Sequence, residues 1–146
     1  MIDVRDIDGP TTRDLRQRVL RNHIPGLSAD APSDSYPETW HLGAFRDGVL
    51  VGVVTGFPEV APGHPGVAAQ RFRFMAVDFS AQGTGVGRTL MNEVIARARA
   101  RGAELLWANG RDTALDFYTR LGFEVVGETF TDAVSLLPHH VVVLRL

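Results

Sequence analysis

Two residue types are missing from this sequence of 146 residues, and each absence excludes a class of chemistry. There is no cysteine, which excludes disulfide frameworks, thiolate zinc sites and cysteine nucleophiles. Lysine is also absent, because all fifteen basic residues are arginine. Neither a lysine Schiff base nor a phosphate loop of the Walker type can therefore form. Any catalysis must depend on other side chains and on the backbone.

Long apolar runs and an excess of basic charge are missing as well. No run approaches the ~20 apolar residues of a membrane-spanning helix, and the first residues do not resemble a signal peptide. We therefore expect a cytoplasmic protein that has no membrane partner. The net charge of -2 and the pI near 6.2 argue against a nucleic-acid partner, which normally needs a basic surface. The length predicts a single domain over residues 1–146 that needs no metal to fold.

The spacing of apolar residues predicts an α/β fold with a mixed sheet. The predicted strands are Ile2–Ile7, Trp40–Arg46, Val49–Phe57, Arg71–Val77, Glu104–Ala108, Phe123–Val126 and Val141–Leu146. Helices are predicted after Asp8-Gly9-Pro10, over Thr84–Arg101 and over Asp112–Leu121. We expect the arginines of the first helix, at positions 13, 16, 18 and 21, to face solvent. The segment His23–Thr39, which is rich in Pro, Ser, Asp and Ala, is predicted to be a long loop.

A glycine-rich loop, Gln82-Gly83-Thr84-Gly85-Val86-Gly87-Arg88, stands between a predicted strand and the longest predicted helix. Glycine allows positive φ angles and a close approach of the backbone to a ligand. The first amides of a helix lack internal partners and carry the positive end of the helix dipole. The loop therefore predicts an anion site, most naturally for phosphate, to which Arg88 adds a charge.

Three known phosphate-loop patterns fit this loop to different degrees. The Walker pattern needs a lysine, which the sequence lacks. The dinucleotide pattern Gly-x-Gly-x-x-Gly differs in spacing and follows the first strand of a parallel unit, whereas this loop follows the fourth predicted strand. The third pattern, Gln/Arg-x-x-Gly-x-Gly/Ala, is met by Gln82, Gly85 and Gly87. A glycine-rich turn without a ligand is the alternative.

A second motif, Ala114-Leu115-Asp116-Phe117-Tyr118-Thr119-Arg120-Leu121-Gly122-Phe123, lies on the last predicted helix. Ala114, Phe117 and Leu121 form a stripe that packs on a sheet, while Tyr118 carries a hydroxyl group that needs a partner when buried. Taken with the glycine loop, this motif resembles the GNAT superfamily of N-acetyltransferases. The resemblance covers about residues 71–123.

The resemblance implies a fold and a reaction. The implied fold is a mixed, mostly antiparallel central sheet of about six or seven strands flanked by helices, with a splayed strand pair that holds the coenzyme A arm. The implied reaction transfers an acetyl group from acetyl-CoA to a small-molecule or peptide amine by direct attack on the thioester, with no metal. The residues expected to bind coenzyme A are Met75, Ala76, Val77, Gln82, Gly83, Thr84, Gly85, Val86, Gly87, Arg88, Asn109 and Phe117.

Catalytic roles follow from the same resemblance only in part. Tyr118 is expected to act as the general acid that protonates the departing thiolate. For the general base, chemistry alone leaves Glu38, Asp78, His41 and His139 open, and His139 is the preferred candidate.

Other expectations concern the partners of the protein. The segment Ile24–Glu38 is expected to cover the acceptor amine, and a homodimer through the C-terminal strands is expected by analogy. A module that binds acyl-CoA without turnover, as a sensor or partner subunit, is the alternative function.

Overall fold

A computed structural model describes residues 1–146, which form seven strands and three α-helices. The strands are β1 (Ile2–Asp6), β2 (Trp40–Arg46), β3 (Val49–Pro58), β4 (Ala69–Val77), β5 (Leu105–Arg111), β6 (Glu124–Thr131) and β7 (Pro138–Arg145). The α-helices are α1 (Gly9–Leu15), α2 (Val86–Ala100) and α3 (Leu115–Arg120). A π-helical segment (Arg16–Leu20) extends α1, and 3₁₀ turns cover Pro32–Ser35, Phe79–Ala81 and Asp112–Ala114.

The seven strands form one mixed sheet in the order β1-β2-β3-β4-β5-β7-β6. β4 and β5 are parallel, whereas the pairs β1–β2, β2–β3, β5–β7 and β6–β7 are antiparallel. The predicted mixed, mostly antiparallel sheet of about six or seven strands is therefore confirmed. None of the helices combines the length and the apolar character that crossing a membrane would require.

The chain divides into two compact units. The first unit comprises Met1–Phe57 and Phe72–Ala96, and the second comprises Pro58–Arg71 and Arg97–Leu146. The predicted single acyltransferase domain over residues 1–146 stays a prediction.

The start of the first unit follows the capping signals in the sequence. The Asp8 side chain accepts a hydrogen bond of 2.9 Å from the Thr11 amide, and a proline lies in the first turn of α1. Leu15 on α1 packs against Val53 and Ala76 in a buried cluster. The predicted turn at Asp47-Gly48 is confirmed by positive φ angles of 51° and 77°.

The first helix differs from the prediction in where its arginines lie. Arg13 and Arg18 are exposed as expected, but Arg16 and Arg21 are buried, so the prediction that all four face solvent is wrong. The Arg16 side chain is only 1% exposed and forms an ion pair of 2.8 Å with Asp34. It also donates to the Thr55 hydroxyl oxygen at 2.6 Å. A carboxylate and neutral acceptors together allow this guanidinium group to be buried.

The ion pair of Arg16 also anchors the segment Ile24–Glu38. Arg16 donates to the Ala29 carbonyl oxygen at 3.1 Å and to both Asp34 oxygens, at 2.8 and 2.9 Å. Ala29 and Ser33 of this segment are buried. The predicted long loop is therefore tied to the helical segment through a buried charge.

The second unit is built around β5 and β7. Leu105, Trp107 and Val143 belong to its buried cluster. The Trp107 indole N–H donates to the Glu59 carbonyl oxygen at 2.9 Å, and Arg71 forms an ion pair of 2.8 Å with the Glu59 carboxylate. These contacts fix the loop before β4 against β5.

β6 and β7 are longer than the sequence predicted. β6 continues to Thr131 across an irregular pairing that follows Val126, and Gly127 has a φ of 73° there. β6 lies at the edge of the sheet and is mostly exposed, so its residues show little apolar alternation. β7 begins at Pro138 and therefore includes both His139 and His140.

We predict that Asp34→Asn lowers the free energy of unfolding by about 3 kcal/mol, because it leaves the Arg16 charge buried without its counter-ion. Asp30→Asn is the matched control. Asp30 pairs with Arg13 on the same helix, but both side chains are more than half exposed, so its loss should cost less than about 1 kcal/mol. Urea denaturation of the two variants measures the difference, and equal small losses would contradict the role given to Asp34.

Candidate active site

The glycine loop after β4 is shaped by local hydrogen bonds in the first unit. The Asp78 carboxylate accepts from the Ser80 amide at 3.0 Å and caps the 3₁₀ turn. The Gln82 side-chain amide donates to the Val77 carbonyl oxygen at 3.0 Å. Gly83 and Gly85 then take φ angles of 76° and 91°, which other residues rarely adopt. The loop conformation therefore depends on these two glycines.

The loop presents a row of backbone donors. The N–H groups from Gly83 to Arg88 form no hydrogen bond of good geometry within the chain, and Thr89 is the first to bond back, to the Gly85 carbonyl oxygen at 3.1 Å. The loop residues Gln82 to Gly85 and the Arg88 side chain are exposed. Oriented amides at the start of a 15-residue helix favour an anion there. The geometry of the loop thus suits a phosphate group.

β4 is strained just before the segment that was predicted to hold the pantetheine arm. Phe74 has a φ of 55° within the strand, a conformation that costs a non-glycine residue about 1–3 kcal/mol. The Arg16 guanidinium lies 4.0 Å from the centroid of the Phe74 ring and that of Arg73 lies 4.8 Å from it. Met75 and Val77 are half-buried, and Ala76 is buried. Contacts on the Phe74 ring therefore hold an irregular strand in place.

Two of the base candidates in the first unit are already engaged. The His41 ring nitrogen Nδ1 lies 2.7 Å from the Thr55 hydroxyl oxygen, and burial together with the Arg16 charge lowers the pKa of His41. The Ser80 amide and Arg18 lower the pKa of Asp78, which makes that carboxylate a weak base. Glu38 is exposed. His41 is therefore neutral and buried, next to the Thr55 hydroxyl to which Arg16 also donates.

Tyr118 lies on α3 in the second unit and is buried. Its ring contacts those of Phe117 and Phe123 edge-on, with centroid distances of 5.3 and 5.6 Å. A Cβ atom at Gly110 would lie 2.9 Å from the Tyr118 ring, so the glycine makes room for the aromatic side chain. Burial raises the pKa of Tyr118 to about 12, against the opposing charge of Arg111. The phenol therefore stays protonated at neutral pH, as a general acid must.

His139 is buried on β7 with a defined tautomer. Its Nδ1 lies 2.8 Å from the Leu137 carbonyl oxygen, and its ring stacks on that of Phe130 at 6.0 Å. A carbonyl oxygen only accepts, so Nδ1 carries the proton, and the neutral ring keeps its lone pair on Nε2. This is the tautomer that a general base at Nε2 requires. Asn109 on β5 pairs with Val141 on β7, and the Asn109 side chain is half-buried.

The sequence analysis did not predict an ion pair between His140 and Asp112. His140 Nδ1 donates to the Asp112 carboxylate at 2.7 Å, and the Thr129 hydroxyl donates to the other carboxylate oxygen at 2.9 Å. The hydrogen bond from His140 lowers the pKa of Asp112. The two partners are 28 positions apart and meet only through the register of β5 and β7. The predicted end of β5 at Ala108 concealed this contact.

Each unit thus contains part of the predicted site. The first unit carries the glycine loop and Met75–Val77, and the second carries Asn109, Phe117, Tyr118 and His139. No group of three or more histidine, aspartate or glutamate side chains is arranged to hold a metal ion.

Comparison with known proteins identifies the family. The sequence model of the acetyltransferase (GNAT) family matches residues 5–123. The chain belongs to the GNAT family. A relative in Bacillus subtilis (strain 168), the uncharacterized N-acetyltransferase YitI, is 27% identical over 145 residues, which are 99% of this chain and 96% of YitI.

Solved structures of other proteins share the fold. FeeM, an N-acyl amino acid synthase from uncultured soil microbes, matches 99% of this chain and 91% of its own with a TM-score of 0.78 and 19% identity. A GNAT family acetyltransferase from Elizabethkingia anophelis with acetyl-CoA bound matches 99% of this chain and 98% of its own, with a TM-score of 0.72 and 16% identity. At these identities the likeness concerns the fold.

The position of His41 generates a pH prediction for stability. Its pKa is lower in the folded state than the value of about 6.5 in the unfolded chain. The contribution of His41 to the free energy of unfolding is therefore complete above about pH 6.5. It is lost as the pH falls towards the folded-state pKa, by at most about 1.4 kcal/mol per pH unit. His41→Gln should remove this part of the decrease in the free energy of unfolding at low pH. Urea titrations between pH 7.5 and 5 measure the difference, and parallel curves for the two proteins would contradict the prediction.

Proposed function

We propose that this GNAT protein is an N-acetyltransferase that transfers the acetyl group of acetyl-CoA to a small-molecule or peptide amine. The observation that carries the proposal is the row of unengaged amides from Gly83 to Arg88 at the start of α2, in a chain that belongs to the family. The bound acetyl-CoA in the Elizabethkingia anophelis structure supports the choice of donor.

Coenzyme A binding is assigned to the loop after β4, to the end of β4 and to two residues of the second unit. The amides from Gly83 to Arg88 and the Arg88 side chain would hold the pyrophosphate. Gln82 would keep the loop closed on the end of β4 through its bond to Val77. The remaining contacts, along the pantetheine arm, would come from the backbone of Met75–Val77 and from Asn109 and Phe117. A backbone amide of β4 would stabilise the oxyanion that forms on the thioester carbonyl.

The proposed reaction is a direct transfer with two proton movements. The neutral amine attacks the thioester carbon, the carbon–sulfur bond breaks, and Tyr118 gives its proton to the departing thiolate. His139 takes the proton that the amine loses, through the lone pair on Nε2. The buried position of Tyr118 and the tautomer of His139 support these two roles.

Location and assembly belong to the same proposal. β6 is an edge strand with exposed residues, and an unpaired edge is a surface on which a second copy can add. A homodimer through the C-terminal strands and a cytoplasmic location remain proposals.

Gly85→Ala tests the coenzyme A loop. Gly85 has a φ of 91° and no atom within 4 Å of an added Cβ, so the substitution strains the backbone without a clash. Gly48→Ala is the matched control, since Gly48 has a φ of 77° and equally open surroundings. Both should lose about 1–2 kcal/mol of stability, but only Gly85→Ala should weaken coenzyme A binding, by about tenfold. Calorimetric titration with coenzyme A measures this, and unchanged affinity would contradict the loop assignment.

Thiol release from acetyl-CoA tests the reaction, with a panel of amines that includes amino acids, since FeeM is an N-acyl amino acid synthase. We predict amine-dependent release that falls about 100-fold in kcat in Tyr118→Phe, because the acid is lost. His139→Gln should lower kcat as well, most strongly for amines with a high pKa, which need the base. Thr119→Val is the control, because the Thr119 side chain lies on the same helix, is exposed and bonds to the Asp116 carbonyl oxygen of its own turn. Coenzyme A binding without release from any amine would favour the sensor instead.

A further inference from the structure

The proposed role of Tyr118 leaves the residue in need of a proton. Once the phenol has protonated the thiolate, a phenolate remains in a buried position. The raised pKa of Tyr118 shows that this ionised form is unfavourable there. A second turnover requires that the phenolate recover its proton from a group that can exchange with solvent. This inference therefore rests on the proposed function.

The register of β5 and β7 identifies a group on the same face of the sheet as Tyr118. Gly110 pairs directly with His140. A Cβ atom at Gly110 would lie 2.9 Å from the Tyr118 ring and 3.6 Å from Val142, which fixes the face on which it points. Side chains that are directly opposite in an antiparallel pair share a face, with Cβ atoms about 5 Å apart. His140 and Tyr118 therefore lie on one face, while His139, opposite Arg111, lies on the other.

His140 is also built to carry a proton. Its Nδ1–H is held by the Asp112 carboxylate at 2.7 Å, and Thr129 orients that carboxylate through its second oxygen. A carboxylate on Nδ1 fixes the orientation of the ring and aims Nε2 away from itself. The side chains of His140 and Asp112 are 19% and 28% exposed, so the pair can exchange protons with water.

We propose that the Asp112–His140 pair returns the proton to Tyr118 after each transfer. The Nε2–H bond of the His140 imidazolium breaks and the O–H bond of Tyr118 re-forms, directly or through one water molecule. His140 becomes neutral and takes a proton from solvent, while Asp112 stays ionised throughout. The overall reaction needs no further reactant, because the proton that His140 takes from water balances the proton that the amine released.

A double-mutant cycle with chemical rescue tests this relay in the thiol-release assay. The variants are His140→Ala, Tyr118→Phe and the double variant, with His64→Ala as the control from a loop of the same unit. His140→Ala should lower kcat about tenfold and leave the KM for acetyl-CoA unchanged, and added imidazole should restore kcat. In the Tyr118→Phe background, His140→Ala should cause no further loss, and imidazole should have no effect.

The outcomes separate this inference from the function on which it rests. An unchanged kcat in His140→Ala, a full further loss in the Tyr118→Phe background, or a loss that imidazole does not restore would each overturn the relay alone. His140→Gln, which keeps a polar side chain at the same position, repeats the test if the alanine variant unfolds. Absence of thiol release from the unmodified protein with every amine would overturn the proposed function and the relay together.

Discussion

The first unit depends on one buried charge. Arg16 lies almost fully out of water, and its guanidinium group joins the Asp34 carboxylate, the Ala29 carbonyl oxygen and the Thr55 hydroxyl. A guanidinium group buried without these partners would cost several kcal/mol. The cluster therefore holds the segment between α1 and β2 in one place. It also sets the environment of His41 and packs against the strained Phe74, so helix, loop and two strands share one constraint.

Two glycines allow a helix residue to pack closely on a strand, because they have no side chain. A Cβ atom at Gly52 would lie 2.8 Å from Leu90 and 2.9 Å from Val86, so only glycine lets the start of α2 settle on β3. Gly110 makes the same allowance for the Tyr118 ring on α3. The close approach of a helix to a strand thus positions the phosphate-type loop in one unit and the phenol in the other. Both approaches are steric conditions that a larger residue would break.

The titratable groups of the second unit differ in the partner that each one has. His139 donates to a carbonyl oxygen, His140 donates to a carboxylate, and Tyr118 is surrounded by aromatic rings. Adjacent positions on a strand point to opposite faces, so neighbouring histidines in the sequence reach different surroundings. Both partners only accept and so fix the proton on Nδ1, but one is a neutral carbonyl oxygen and the other a carboxylate. Chemical similarity in the sequence therefore says little about the roles of the two rings.

The sequence by itself determined the elements whose signals are local. Apolar periodicity, the Asp47-Gly48 turn and the glycines of the loop after β4 act over a few residues, and the family resemblance rests on that loop together with the motif Ala114–Phe123. Only the tertiary structure decided which arginines are buried and which histidine meets a carboxylate. Arg16 and Asp34 are 18 positions apart in the sequence, and His140 and Asp112 are 28 positions apart. The spacing of apolar residues does not indicate such partners. The free energy of burying a charge depends on groups that the chain brings together only when it folds.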